Sequence, residues 1–185
     1  MNKKVVIGLI IAFIMVSSIF GFVADYASRS VSKIKYGDFK FKIVNQQYIT
    51  KINGKEHTFV FFPRDLEYMT ISEDVKKLLA APVLTVTYDP KSSLAEKEAE
   101  AQYYFETQLD GEKVIERALT NNEGTELPQK SCADATPSQP VIELRKGDAF
   151  GIKAEGNCIM VMSADALELY QETERIIYMV LGVMQ

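Results

Sequence analysis

The stretch VLTVTYDP, Val83–Pro90, decides the fold class of this chain. Its first six residues are rich in β-branched side chains and end at an Asp-Pro pair, which predicts a central, buried strand. Apolar patterns of helical spacing precede it at residues 72–80 and follow it at residues 92–109, each with a serine able to cap the helix. A strand between two helices predicts an α/β domain with a mixed sheet, and α+β is the alternative.

An N-terminal antiparallel meander is predicted upstream of this unit. Apolar and polar residues alternate over residues 39–44, and residues 48–52 and 57–62 have the same strand character. Asn53-Gly54 lies between the last two segments, where both residues tolerate the positive φ of a tight hairpin turn. The pattern predicts three antiparallel strands.

A last helix and several short strands are predicted downstream, which gives about three helices after the N-terminal segment. Ser163 can cap the last helix, which carries a broad apolar face. Glu168, Gln171, Glu172 and Arg175 would form its solvent stripe. The remaining predicted strands lie at residues 113–119, 141–144, 152–154 and 158–162.

The N-terminal run VVIGLIIAFIMVSSIFGFV, Val5–Val23, holds nineteen residues without a charge. That length matches a helix crossing a ~30 Å hydrocarbon core, so it predicts one transmembrane anchor. A cleaved signal peptide is the alternative, but its apolar region is typically shorter and no small-residue cleavage pattern follows. The chain thus divides into an anchor at residues 1–25, a polar stalk at 26–35 and a single globular domain at 36–185.

The charges around this anchor leave its orientation ambiguous. Lys3 and Lys4 precede the span, and Arg29, Lys33 and Lys35 follow it. Long domains nevertheless translocate largely regardless of charge, and a two-lysine start is usual for an exported chain. We therefore expect a single-pass cell-membrane protein with a cytoplasmic N-terminus and an extracytoplasmic domain.

Composition excludes several function classes. The chain has 185 residues and a net charge of -4, from 21 basic and 25 acidic side chains, so no surface for nucleic acid is expected. His57 is the single histidine, which excludes a histidine-rich metal site and leaves one candidate base. No phosphate-loop, dinucleotide or G-x-S-x-G motif occurs. The sequence therefore assigns no catalytic residue, no metal and no cofactor, and enzymatic activity is not favoured.

Cys132 and Cys158 are the two cysteines of the chain. Two thiols 26 positions apart do not match a zinc pattern, which needs four ligands in close pairs. They are either two buried free thiols or one disulfide, and an extracytoplasmic domain favours the disulfide. The bond would also tie down the loop at residues 121–139, which is long for a compact domain.

Several short motifs resemble a family of uncharacterised archaeal membrane-anchored proteins. They are VLTVTYDP at 83–90, a lone Cys132 before PVIEL at 140–144, GNCIMV at 156–161, and Glu174-Arg175-Ile176-Ile177-Tyr178 followed by Leu181-Gly182-Val183. Such proteins begin with a single span followed by an Asn-Gly type of hairpin. The resemblance implies the same topology and paired cysteines, and it implies no activity.

Asp89 is the candidate for a ligand site, because ligands of α/β sheets bind beyond the carboxyl ends of the strands. Asp134 and Asn157 would approach it if the disulfide forms, and their oxygens suit a hard cation, although Asp-Pro and Gly-Asn are also ordinary turn sequences. Two function classes follow. The first is a non-enzymatic envelope module that binds a partner protein or supports the cell surface. The second is an extracytoplasmic hydrolase, or a small-ligand or cation-binding domain, that uses the Asp89 edge.

Overall fold

The computed structural model describes residues 32–122 and 124–185. The predicted anchor Val5–Val23 and residues 26–31 of the predicted stalk lie outside this part of the chain. No helix within it is long and apolar enough to cross a membrane. Its strands are β1 Lys33–Tyr36, β2 Phe39–Val44, β3 Gln47–Ile52, β4 Lys55–Phe59, β5 Val83–Tyr88, β6 Val114–Arg117, β7 Val141–Lys146, β8 Gly151–Glu155 and β9 Cys158–Ser163. Its α-helices are α1 Glu73–Leu79, α2 Ala95–Leu109 and α3 Ala166–Val180.

The first sheet is an antiparallel meander in the order β1-β2-β3-β4. The predicted meander is confirmed, but it has four strands because Lys33–Tyr36 pairs with β2, and Lys33–Lys35 therefore belongs to the domain and not to the stalk. Asn53 and Gly54 form the turn before β4 with φ values of 49° and 87°, as the sequence predicts. The chain leaves the sheet after Phe59, three residues earlier than expected.

The second sheet has the order β6-β5-β7-β9-β8 and is mixed. Strands β6, β5, β7 and β9 run parallel, and β8 pairs antiparallel with β9. The residues Leu84, Thr85, Val86 and Thr87 of β5 are fully buried on both faces, which confirms the prediction of a central strand. The α/β class is therefore correct, with the meander forming a sheet of its own.

Helices α2 and α3 lie between the two sheets. Leu84, Val86, Ile142 and Leu144 face these helices from the second sheet and share one continuous core with them. On the opposite side, Phe59 of β4 stacks on Tyr178 of α3, with ring centroids 4.0 Å apart. Ser72 caps α1 by accepting a hydrogen bond from the Val75 amide, as predicted. The layers are thus sheet, helices, sheet.

The predicted solvent stripe of α3 is wrong, because α3 is covered on nearly all sides. Glu172 and Arg175 are buried, and the helix is capped by Asp165 and not by Ser163, which ends β9. Glu172 accepts hydrogen bonds from the Gly151 amide and the Ser163 hydroxyl. Arg175 donates to the carbonyls of Met69 and Gln185. Backbone groups of the surrounding loops pair with these charged side chains, which offsets the cost of burying them. Among the described residues, only the Nη1 atom of Arg175 lacks a partner on these two side chains.

Glu174, also on α3, is completely buried and holds the chain where it leaves the first sheet. Its two carboxylate oxygens accept hydrogen bonds from the amides of Val60 and Phe61 at 2.7 and 2.9 Å. The hydroxyl of Tyr104 on α2 donates to the same carboxylate at 3.1 Å. Four residues along the helix, the Tyr178 hydroxyl donates to the Phe61 carbonyl. We call Glu174, Tyr178 and their partners Val60, Phe61 and Tyr104 the clasp.

The loop between β6 and β7 covers the face of the second sheet that the helices leave open. Cys132 in this loop forms a disulfide with Cys158 of β9, so the predicted bond is confirmed. The Thr87 hydroxyl donates to the Lys130 carbonyl, and the Gln139 amide donates to the Thr85 hydroxyl. We call the described part of this loop, residues 119–122 and 124–140, the strap. It is long because it replaces a helical layer and satisfies the polar side chains of β5.

We expect the double substitution Cys132→Ser, Cys158→Ser to destabilise the domain. Opening a 26-residue loop removes about 3.5 kcal/mol in the chain-entropy model, which is an upper value. Urea unfolding followed by circular dichroism measures the loss, and reduced wild-type protein should unfold at the same urea concentration as the variant. Equal midpoints for the variant and the oxidised protein would show that the strap is held by its hydrogen bonds alone.

We expect the loss of the Glu174 carboxylate from the clasp to destabilise the domain at least as much as loss of the disulfide. Glu174→Ala leaves the amides of Val60 and Phe61 without their acceptor and should cost about 3–5 kcal/mol of unfolding free energy. The Tyr104 hydroxyl keeps the Thr58 carbonyl as an acceptor. Glu174→Gln retains one acceptor oxygen and should cost clearly less. The interpretation fails if the Ala and Gln variants are equally stable.

Candidate functional site

A cleft of about 610 Å³ opens at the carboxyl ends of β5 and β7. These strands are neighbours, but the chain leaves β5 through α2 towards β6 on one side and leaves β7 towards β8 on the other. The connections therefore diverge above this point and leave a crevice between them, which is where open α/β sheets bind ligands. The cleft is lined by Asp89, Ser92, Ser93, Glu98, Thr120, Ser131, Cys132, Ala133, Glu143, Leu144, Arg145 and Lys146.

One wall of the cleft is acidic and follows β5. Asp89 lies immediately after the strand, is exposed, and accepts a hydrogen bond from the Lys91 amide that closes the turn. Ser92 accepts from the Leu94 amide just before α2 begins. Glu98 stands in the first turn of α2 and is only 1% exposed. Two carboxyl groups thus approach the cleft from the strand end and from the first turn of the helix.

Glu98 is unusual because one of its carboxyl oxygens, Oε2, is buried without a hydrogen-bond partner among the described residues. Burial raises the pKa of Glu98 to about 7, the negative charge of Asp89 acts in the same direction, and a hydrogen bond with Ser92 acts against them. An unpaired buried carboxyl oxygen costs stability. A ligand that donates a hydrogen bond or carries a positive charge would remove that cost.

The opposite wall is basic and follows β7. The guanidinium of Arg145 donates to Glu143 at 2.6 Å, and this contact raises the pKa of Arg145. Glu143 also accepts a hydrogen bond from the Cys132 amide, so both of its carboxylate oxygens have a partner. The ammonium of Lys146 donates to the Ser93 hydroxyl at 2.9 Å and remains exposed. Lys146 is therefore the cation best placed to meet an anionic group of a ligand.

Of the three predicted site residues, the cleft contains Asp89 alone. Asp134 accepts hydrogen bonds from the amide and the hydroxyl of Ser131 and caps a short helical turn in the strap. Asn157 precedes β9, and it bonds to the Ala135 carbonyl instead of approaching Asp89. The disulfide does bring the strap to the cleft, but it brings Ser131, Cys132 and Ala133 and not the predicted oxygen ligands.

A second cluster with ligand atoms is formed by Cys132, Cys158 and Glu143, whose sulfur and carboxylate atoms lie within 4.8 Å of one another. Both sulfur atoms are joined in the disulfide, and Glu143 is paired with Arg145. This cluster therefore fastens the strap. His57, the single candidate base, faces the helices from β4, is 2% exposed and contacts Gln108, so it is a core residue. Burial lowers the pKa of His57.

Sequence reasoning missed Glu98 and Lys146. The sequence signal was available for Glu98, because it interrupts the apolar side of the predicted helix at residues 92–109. A charge on a buried helix face is unusual and often functional. Lys146 carried no such signal, because it follows an ordinary strand and only the strand order brings it opposite Asp89.

Comparisons with protein families, with curated proteins and with solved structures found no match to this chain. The resemblance to archaeal membrane-anchored proteins therefore stays a prediction.

Glu98 predicts a specific dependence of stability on pH. Its folded pKa is raised from 4.5 to about 7, so the protonated form is favoured by folding, and this contribution is present below about pH 4.5 and lost as the pH rises through about 7. Glu98→Gln cannot ionise. Between about pH 5 and pH 8 its unfolding free energy should therefore gain about 2 kcal/mol relative to the wild type.

Urea unfolding across this pH range measures the difference between the two proteins. Glu126→Gln, at an exposed position of the strap, is the matched control and should leave the pH profile of stability unchanged. Parallel profiles for the wild type and Glu98→Gln would contradict the placement of Glu98 in a site that strips water from its carboxyl group.

Proposed function

We propose that this chain is a single-pass, membrane-anchored domain on the extracytoplasmic side that binds a small polar ligand in the cleft, without catalysis. The observation that carries the proposal is the buried, unpartnered carboxyl oxygen of Glu98 in a crevice at the point where the strand connections diverge. Binding domains commonly keep such a polar group poorly satisfied in the free state, because the ligand completes its hydrogen bonding.

The location is supported by two observations. The uncharged run Val5–Val23 is long enough to span a bilayer. The Cys132–Cys158 bond requires an oxidising compartment in most organisms, which supports an extracytoplasmic domain.

The charges of the cleft limit the chemistry of the ligand. Glu98 and Asp89 on one wall favour an amine or a cluster of hydroxyl donors, and Lys146 on the other favours a carboxylate, phosphate or other acceptor. A small zwitterion or an amino sugar carries both kinds of group and fits a cleft of about 610 Å³. A protein side chain or terminus presented by an envelope partner offers the same groups, so the ligand can also be part of a larger molecule.

A panel of zwitterionic amino compounds, amino sugars, polyamines, Ca²⁺ and Mg²⁺ tests the proposal by thermal shift on the full chain in detergent. A compound present at about 100 times its dissociation constant should add about 2.7 kcal/mol of stability and raise the melting temperature by several degrees. Asp89→Asn and Lys146→Gln should abolish the shift, and Lys153→Gln on β8 is the matched control. A shift that survives both cleft substitutions would place the ligand elsewhere.

A hydrolase is the second candidate, and one contact favours it. The Ser93 hydroxyl and the Lys146 ammonium form a 2.9 Å pair at the mouth of the cleft, and serine–lysine pairs act as nucleophile and base in some hydrolases. Both side chains are exposed, however, whereas a lysine base needs a desolvated site. Labelling by a fluorophosphonate that is lost in Ser93→Ala would establish the hydrolase and overturn the non-catalytic proposal.

A further inference from the structure

The outer face of the first sheet is strongly basic. Side chains alternate between the two faces of a strand, and the buried Phe41, Thr50 and His57 mark the face that packs on the helices. The opposite face carries five exposed lysines and, within β1–β4, a single acidic residue, Glu56. We call it the lysine face, formed by Lys33 and Lys35 of β1, Lys40 and Lys42 of β2, and Lys51 of β3.

Several lysines of this face lie directly opposite one another on neighbouring strands, where their charges repel. Lys33 lies directly opposite Lys42, and Lys35 lies directly opposite Lys40, in the antiparallel register of β1 and β2. Like charges in directly opposed positions destabilise a sheet. Lys51 opposes Glu56, the one acidic residue of β1–β4 on this face. Asp38, in the turn after β1, lies beside Lys40 and Lys42. These opposed lysines lower the stability of the free domain. A bound partner of negative charge would offset their repulsion.

Five lysines elsewhere in the described chain differ from these in having a carboxylate partner. Lys55, Lys76, Lys77, Lys97 and Lys130 each form an ion pair with a carboxylate at 3.2 Å or less. Among the residues that the structure describes, no carboxylate pairs in this way with a member of the lysine face. The protein as a whole is acidic, with a net charge of -4. The lysine face is therefore a concentrated positive surface on a negative molecule.

The position of this face along the chain limits what it can meet. Nine residues, 24–32, separate the end of the predicted span at Val23 from Lys33 at the start of β1. Even a fully extended segment of this length spans only about 30 Å. The first sheet is thus tethered next to the bilayer, where any anionic lipid headgroups attract lysines within about a Debye length of ~8 Å.

We propose that the lysine face binds the anionic lipid headgroups of the leaflet beside the anchor. The phosphate and other acidic groups of these lipids supply the counter-charge that the described part of the chain lacks. Binding through this face lays the first sheet against the membrane and directs the opposite side of the layered domain, with the strap, away from it. This inference rests on the membrane anchor of the proposed function, but the lysine face is separate from the cleft, so it stands whether or not the cleft binds a ligand.

The test uses the full chain reconstituted in nanodiscs of purely zwitterionic lipid or of lipid with an anionic component. A water-soluble amine-acetylating reagent and mass spectrometry report the reactivity of each lysine. We expect the lysine face to become severalfold less reactive in anionic discs, with full reactivity restored at high salt. Lys153 on β8 should react equally in both discs.

Lys51 serves as the reporter for a charge variant. In K33Q/K35Q/K40Q/K42Q, Lys51 should regain the reactivity that it has on zwitterionic discs, because each lysine near an anionic surface contributes about fivefold to binding. The control K76Q/K77Q/K97Q/K153Q has the same net charge and should keep Lys51 protected. Thermal unfolding checks that both variants are folded, and removal of opposed lysines is not expected to lower stability.

Two outcomes would overturn the proposal. Equal reactivity of the lysine face in the two kinds of disc would show a solvated face without a lipid contact. Protection that is independent of lipid charge and persists at high salt would indicate burial against a protein, either a second copy of the chain or a partner.

Discussion

The carboxylate of Glu174 is the constraint on which the layered architecture depends. A fully buried carboxylate must be surrounded by donors, and here they come from the chain leaving the first sheet and from Tyr104 on α2. One side chain of α3 therefore fixes the other long helix and the exit of the meander at the same time. Without that anchor the residues after Phe59 would present unpaired amides to the core.

Neighbouring residues of α3 also hydrogen-bond to the segment that follows the first sheet. Arg175 donates to the carbonyl of Met69, and Tyr178 donates to the carbonyl of Phe61. The motif Glu174-Arg175-Ile176-Ile177-Tyr178 thus reads as a set of side chains that satisfy the backbone of residues 60–69, while its two isoleucines fill the core. This gives a physical reason for charged residues in the middle of an otherwise apolar helix.

The sequence was sufficient for what local patterns encode. It predicted the meander, the Asn53-Gly54 turn, the central strand, the capped helix α1 and the disulfide. Prediction from the sequence failed for features that depend on contacts between distant parts of the chain. The spacing of α3 indicated a solvent stripe, but Glu172 and Arg175 are buried because loops from distant parts of the chain cover them. Strand β1 was missed because lysines alternate with Ile34 and Tyr36 in a short segment that resembles a stalk.

In the candidate site, too, local sequence patterns were informative and the strand order was not predictable. Asp89 was found from a general rule about strand ends, which needs no knowledge of strand order. Asp134 and Asn157 were chosen because the disulfide brings their segments near the sheet, but Asp134 bonds to Ser131 and Asn157 bonds to the Ala135 carbonyl. Lys146 could be placed opposite Asp89 only after the order β5-β7 was known, because sequence separation says nothing about which strands are neighbours.

A comparison of three buried glutamates shows which of them is a candidate ligand-binding residue and which are structural. Burial raises the pKa of Glu98, Glu172 and Glu174 alike, to about 7. Glu172 and Glu174 accept hydrogen bonds from backbone amides and from hydroxyl groups, so the fold itself accounts for them. Glu98 has the same burial and keeps an oxygen without a partner. A raised pKa alone therefore does not identify a site, and the missing donor at Glu98 is what distinguishes this residue from the other two glutamates.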